Sequence, residues 1–241
     1  MAWQTPKTNW TGADGVRDTD FNRIEGNILD LRGMFLHNNV VAVVSPSGND
    51  TTGNGTSGAP FRTFARALQA VPKNLNGRTA TIQVVAGSYP EIVNISDFSG
   101  GEVVLASSSN ASITVTGFIV ENCTVLVDGL QLNVGSSGIF IGAKGLLFSA
   151  SSNIAINGAA EGVTLRYGGK LEVTTTLTIN NATRALQVQY NSEASVATLA
   201  GTGNTIGIYA YNSAVFVSAL QIAATSRIIN ENSAVYTRGV S

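Results

Sequence analysis

One cysteine, one histidine and five prolines stand among 241 residues, and each scarcity removes a class of structure or chemistry. A lone Cys123 builds neither a disulfide framework nor a cysteine metal site within one chain. Charged residues make up only 12%, about half the usual ~25%. Fourteen Lys plus Arg against fifteen Asp plus Glu leave a net charge of −1, so no phosphate-neutralising surface and no nucleic-acid partner is expected. The longest purely aliphatic run, Val40 to Val44, falls far short of the ~20 residues of a membrane span, and no membrane insertion is expected. The stretch Met1 to Lys7 lacks the apolar core of a secretory signal. What is plentiful is Ser, Thr and Asn (22, 24 and 22 residues) and Gly (26), with 44% hydrophobic residues. Such a chain is too apolar for disorder and is expected to be soluble and folded without a charged exterior. Its length fits one large domain, or one domain with an appendage, at ~150 residues per domain.

From residue 101 onward the chain repeats. A small residue, one variable residue and then alternating apolar positions recur at Gly101, Cys123, Gly145, Gly169, Ser192, Ser213 and Ser233, spaced 22, 22, 24, 23, 21 and 20. That period belongs to a solenoid, and period-2 alternation makes each unit a coil of short strands. The second residue after each anchor is Val103, Val125, Leu147, Leu171, Ala194, Val215 or Val235, all apolar. The other parity would bury Lys170 with Glu172, so the first faces inward. Further strand-like stretches at Leu130 to Leu132, Ile139 to Ile141, Ile154 to Ile156 and Val163 to Tyr167 complete three strands per turn. An all-β, parallel β-helix with about 22 residues per coil is predicted. Asn122, Asn191, Asn212 and Asn232 precede four anchors, with Lys144 and Gly168 preceding two others. Asn tolerates a left-handed backbone and stacks into amide ladders, so this column reads as a structural turn.

Between residues 45 and 90 the composition changes. Ser45 to Gly58 is a turn-rich loop, Pro60 suits a first helical position, and Phe61, Phe64, Ala65, Leu68 and Val71 recur at helical spacing before Pro72. A helix near 60–71 is predicted to cover the open end of the solenoid. The stretches Ser45-Pro46-Ser47-Gly48-Asn49-Asp50, Gly53-Asn54-Gly55, Ala59-Pro60-Phe61-Arg62-Thr63-Phe64 with Ala67-Leu68, and Ala86-Gly87-Ser88-Tyr89 resemble the cap region of pectin-lyase-like right-handed β-helix proteins. The resemblance covers residues 40 to 241 as architecture and implies a right-handed coil.

Residues 18 to 36 form a separate element, with Asp18, Thr19 or Asp20 as N-cap and Phe21, Ile24, Ile28, Leu31 and Phe35 spaced 3, 4, 3 and 4. Such a seam either packs on its own domain or joins copies of itself. The outward position third after each anchor decides for self-association: Val104, Leu126, Phe148, Glu172, Ser195, Phe216 and Tyr236 are mostly apolar, and an apolar stripe on an outer face marks an interface. A homotrimer is expected, with residues 1–38 as attachment segment and trimerising helix and 39–241 as β-helix. Trp3-Gln4-Thr5-Pro6-Lys7-Thr8-Asn9-Trp10, followed by Asp20-Phe21-Asn22-Arg23-Ile24-Glu25-Gly26-Asn27-Ile28, resembles the attachment segment of tail fibre, tail spike and receptor-binding proteins from phages and phage-like particles of Gram-positive bacteria. The resemblance implies a virion tail component assembled in the host cytoplasm. It further implies an amino-terminal end that joins tail or baseplate proteins and a β-helix that projects toward bacterial cell-surface polysaccharide.

Chemistry is sparse. Cleavage of a polysaccharide by a glycoside hydrolase or lyase needs paired carboxylates or an acidic, cation-holding cluster. Glu102 and Glu193 share a register four coils apart, on the order of 19 Å. Glu172 and Glu193 form the best pair, roughly 8 Å apart on neighbouring coils, but Lys170 shares the Glu193 register, and a surface ion pair accounts for it. No catalytic residue, metal site or cofactor is therefore assigned, and a binding role is expected over a degrading spike or a purely structural part. His37 reads as a solvated helix-end residue, and the Asp50 to Gly55 loop lacks the acids of a calcium loop. Two features are candidates for ligand binding. Tyr167, Tyr190 and Tyr211 each lie two residues before an anchor, with Tyr209 nearby; they either fill a corner of the coil or form an outward platform for sugar rings. Arg62 and Arg66, with Lys73 and Arg78, form an acid-free stretch that either solvates the cap or attracts an anionic wall polymer.

Overall fold

The structure is a computed structural model and describes residues 4–11, 15–149 and 151–237. Trp3 of the amino-terminal motif lies outside them. An α-helix, α1 (Asp18–Gly33), precedes β1 (Val40–Val44) and a short helix α2 (Phe64–Gln69). Twelve strands follow: β2 (Thr79–Val84), β3 (Gly87–Ser96), β4 (Glu102–Glu121), β5 (Thr124–Gly142), β6 (Leu146–Ser149), β7 (Asn153–Asn157), β8 (Glu161–Leu165), β9 (Lys170–Asn180), β10 (Arg184–Gln189), β11 (Glu193–Tyr211), β12 (Ala214–Glu231) and β13 (Ala234–Thr237). Every pairing between them is parallel. They wind into a solenoid of about seven turns with about 22 residues per coil, consistent with a right-handed β-helix.

Each coil contributes a segment to three faces. The first face runs through β1, β2, β6, β13 and the starts of β4, β5, β9, β11 and β12, in unbroken register from Val41↔Thr81 and Thr81↔Val104 through Leu126, Phe148, Glu172, Ser195 and Phe216 to Tyr236. The predicted inward parity is the observed one. Val103, Val125, Leu147, Leu171, Ala194 and Val215 are fully buried, as are Leu105, Val127, Val173, Val196 and Val217 two residues on. Each such aliphatic side chain withdrawn from water stabilises the stack by about 1.5–3 kcal/mol.

The corner between the third face and the next first face is equally regular. Asn122, Lys144, Gly168, Asn191, Asn212 and Asn232 all have positive φ, between 45° and 82°, and the Asn232 amide donates to Asn212 Oδ1 at 2.6 Å. The anchor that follows is small because it abuts a carbonyl of the preceding third-face strand. Cys123 Sγ donates to Ile95 O at 3.2 Å and Ser213 Oγ to Val188 O at 2.9 Å. A Cβ on Gly145 or Gly169 would collide with the carbonyl oxygens of Val120 and Ile141.

Helix α2 covers the end of the solenoid at β1, β2 and β3, as predicted, but it begins at Phe64 rather than near Pro60. Its start is fixed by carboxylates distant in sequence. Asp50 accepts from the backbone of Arg62 (2.7 Å) and Thr63 (3.1 Å) and from the Thr63 hydroxyl (2.9 Å). Glu91 accepts from Phe64 N and Ala65 N, and Thr63 Oγ1 takes Arg66 N. Three donors of the first turn are thereby satisfied. Below the helix, Tyr89 packs edge-on against Phe64 and donates its hydroxyl to Val85 O at 2.7 Å and Val44 O at 3.2 Å. Burial, and then the nearby Glu91 charge, push the Tyr89 phenol well above its ordinary range.

The α1 N-cap is Arg17, not one of the three residues expected; Asp20 instead sits one turn in and accepts from Arg17 N at 3.1 Å. Among the described residues of α1, those buried are polar: Asp20 pairs with Arg23, and Asn27 exchanges two hydrogen bonds with the Gln4 backbone. Phe21, Ile24, Ile28, Leu31 and Phe35 all face solvent, Ile28 at 57%. Among the described residues nothing packs over the apolar seam.

Candidate functional site

The corner that carries the Asn column also carries the tyrosines. Tyr167 and Tyr190 stack on successive coils with centroids 5.4 Å apart and planes 6° apart, and Tyr211 meets Tyr190 edge-on at 5.6 Å. Tyr167 is 63% and Tyr190 43% exposed, while Tyr211 is half-buried. The expectation that such rings more often fill a corner is corrected: they stand outside it and form a rail. The backbone explains why. Tyr167 and Tyr190 have φ of 57° and 53°, a left-handed turn that throws the side chain away from the core and costs a bulky residue about 1–2 kcal/mol. The equivalent Ala143 adopts the same left-handed turn at φ 39°.

Beside the rail lies a shallow cavity of about 550 Å³ lined by Tyr190, Asn191, Ser192, Glu193, Asn212, Ser213, Ala214 and Asn232. Aromatic faces, amides and hydroxyls suit the apolar faces and hydroxyl edges of a saccharide ring. Ser192 Oγ is buried without a hydrogen-bond partner, whereas the equivalent Ser213 hydroxyl has one.

Glu193 lies on the rim of this cavity and pairs with Lys170 at 3.4 Å, both side chains open to water. Glu172 is one strand pleat away, opposite Ser195 and exposed. The ion pair with Lys170 accounts for Glu193 as a surface charge pair. His37 places Nε2 2.8 Å from Arg32 O at the end of α1. Among the described residues no group of three or more His, Cys, Asp or Glu is arranged to hold a metal ion, and no helix is long and apolar enough to cross a membrane.

The cap cations separate. Arg66 stacks over the Phe61 ring at 4.8 Å and donates Nε to Asp50 O, a structural post. Arg62 is exposed on the rim of a smaller cavity with Pro46, Ser88, Pro90 and Glu91. Asp50, rejected as a calcium ligand, is the residue that organises this loop. Burial alone would raise its carboxyl, but the Thr63 hydroxyl and the Arg62 and Thr63 N–H groups outweigh it and hold the carboxyl below its ordinary value.

The outer stripe of the first face is real as a register and uneven as a surface. Val104 is 9% exposed, flanked by Thr81 and Leu126, and offers little to a partner; Leu126 and Phe148 are half-buried. Glu172 and Ser195 interrupt the stripe, and Phe216 and Tyr236 resume it fully exposed.

A polar cluster on the third face escaped the sequence reading. Arg184 pairs with Glu161 at 2.8 Å and lies over the half-buried Tyr209 ring, while Arg166 donates Nε to Gln189 at 3.0 Å. The Glu161 to Arg184 and Arg166 to Gln189 separations equal one coil, 23 residues, the signal that would have found them. Compared with known proteins, the chain matches no family model, no curated protein and no solved structure.

Proposed function

We propose that the chain is a non-enzymatic, homotrimeric tail fibre or receptor-binding protein of a phage or phage-like particle of Gram-positive bacteria. Its amino-terminal segment joins tail or baseplate proteins, and the solenoid touches cell-surface polysaccharide. The observation that carries the recognition role is the Tyr167 and Tyr190 pair: two strained, exposed, parallel rings beside an amide-lined cavity. Parallel aromatic faces at a coil's spacing offer a sugar-tolerant platform without any catalytic group. Self-association is supported by α1, whose heptad-spaced apolar face is left uncovered by the described residues.

Purified protein is incubated with wall polysaccharides from a panel of Gram-positive bacteria. Saturable binding with no new reducing or unsaturated ends supports the assignment. Release of such ends would make the chain a degrading spike, and absence of binding across the panel would leave a structural tail component.

A further inference from the structure

We propose that the tyrosine rail and the third-face cluster beside it form one site, and that Arg166 selects saccharides bearing an acid group. The inference rests on the rail being a saccharide platform and adds the substrate's charge. Arg166 immediately precedes Tyr167 in the chain, and Gln189, its hydrogen-bond partner on the next coil, immediately precedes Tyr190. The guanidinium and the amide that holds it thus belong to the residues immediately before the two stacked rings, one on each coil.

The cluster is unusual for an outward face. Gln187 and Gln189 alternate with the core residues Leu186 and Val188 and point the other way, yet they are only 3% and 9% exposed. In one orientation the Gln187 amide donates to Gln189 Oε1 at 2.7 Å; turned over, it donates to the Glu161 carboxylate at 2.5 Å and accepts from Arg166 Nη2 at 3.1 Å. Glu161 is already matched by Arg184. Among the described residues Arg166 has no carboxylate at ion-pair distance; up its own column the Glu121 carboxylate lies against Gly142, one rung away, and faces the same side of the sheet. Gln189 Oε1 holds Nε and the Gln187 amide lies 3.1 Å from Nη2, so Nη1 is the guanidinium nitrogen left for a ligand. Further down the same column Gln189 faces Tyr211 and Tyr211 faces Glu231, which puts Glu231 three rungs from Arg166, about 14 Å along the axis. At that range its charge is largely screened in physiological salt.

A planar guanidinium held by amides along one side reads carboxylates and phosphodiesters in the same manner with its remaining donors. A sugar ring resting on Tyr167 and Tyr190 would bring a substituent acid on its edge toward Arg166. Gln187 and Gln189 then serve as positioning residues for that guanidinium.

The test is calorimetric titration of the full chain with three probes: a hexamer of galacturonate, the same hexamer with its carboxyls reduced to alcohols, and a glycerol-phosphate oligomer. The wild type is expected to bind an acidic probe at least about tenfold more tightly than the reduced hexamer, the two acidic arms separating carboxylate from phosphodiester. R166Q is expected to bind the acidic and reduced hexamers within about twofold of each other and to lose its salt dependence. Q189E keeps the guanidinium in place but neutralises it and should lose the preference likewise; E161Q frees Arg184 and should strengthen it. Circular dichroism confirms the fold of each variant. Equal wild-type affinity for acidic and reduced hexamers, or a preference that survives in both R166Q and Q189E, overturns the role of Arg166. Failure to bind any probe overturns the saccharide platform itself, as does unchanged affinity in Y190A.

Discussion

Phe216 and Tyr236, opposite each other on neighbouring rungs of the first face, stack with centroids 5.1 Å apart and planes 6° apart while both remain open to solvent. They lie on the last described rungs, and the exposed apolar face of α1 precedes the first. Light scattering after gel filtration is expected to give three times the 25.0 kDa chain mass. Ile28→Glu should shift it toward the single chain with an unchanged circular dichroism spectrum. A trimer mass that survives Ile28→Glu combined with Phe216→Lys would place the interface elsewhere.

The rail sets stability against binding. Tyr167→Asn relieves a left-handed aromatic, a gain of about 1 kcal/mol, and gives up a ring contact of about 0.5–1.5 kcal/mol. The two nearly cancel, so the melting temperature should stay within a few degrees while polysaccharide binding falls. A loss of more than about 2 kcal/mol would make the ring a packing element.

Asp50 makes the cap sensitive to acid. Its carboxyl is held below the unfolded value, so its contribution is fully present above the ordinary carboxylate range near pH 4. That contribution is lost as pH falls through the lower folded value. Asp50→Asn should cost about 1–3 kcal/mol at neutral pH by leaving donors of Arg62 and Thr63 poorly matched. It should also flatten the acid limb of the denaturation profile. An unchanged acid limb would assign the sensitivity to another group.

Burial comes first among the causes that raise the Cys123 thiol above its ordinary value. A thiol reagent at pH 8 should therefore react with the native chain far more slowly than with the unfolded one. Cys123→Ser should fold, because Ser213 makes the same bond in the same column four coils on. Gly169→Val should not, because its Cβ meets the Ile141 carbonyl. Comparable melting temperatures for the two variants would remove the carbonyl contact as the reason for small anchors.

The solenoid was legible because its information is local and repeated. Alternation at Val103, Leu105, Val125 and Val127 sets the inward face, and Asn122, Asn191, Asn212 and Asn232 mark one corner, with Lys144 adopting the same left-handed turn because position outweighs residue preference. The first rungs were harder to see: β1 and β2 pair in register, but the cap loop and α2 separate them and break the period. The start of α2 was missed because Asp50 and Glu91, remote in sequence, outweigh the signal of Pro60. Outward positions were read least well, since alternation says only that Val104 and Tyr167 do not point to the core. Neighbouring rungs cover Val104, while the φ of Tyr167 swings its ring into solvent.

Helix α2 lies over the first rungs, while on the last described rung Val235 is half-buried and Tyr236 exposed. A rod whose layers grip only their neighbours yields to tension one layer at a time. Pulled along its axis, it should peel in discrete steps, each releasing one coil of about 22 residues, or ~75 Å of slack at full extension.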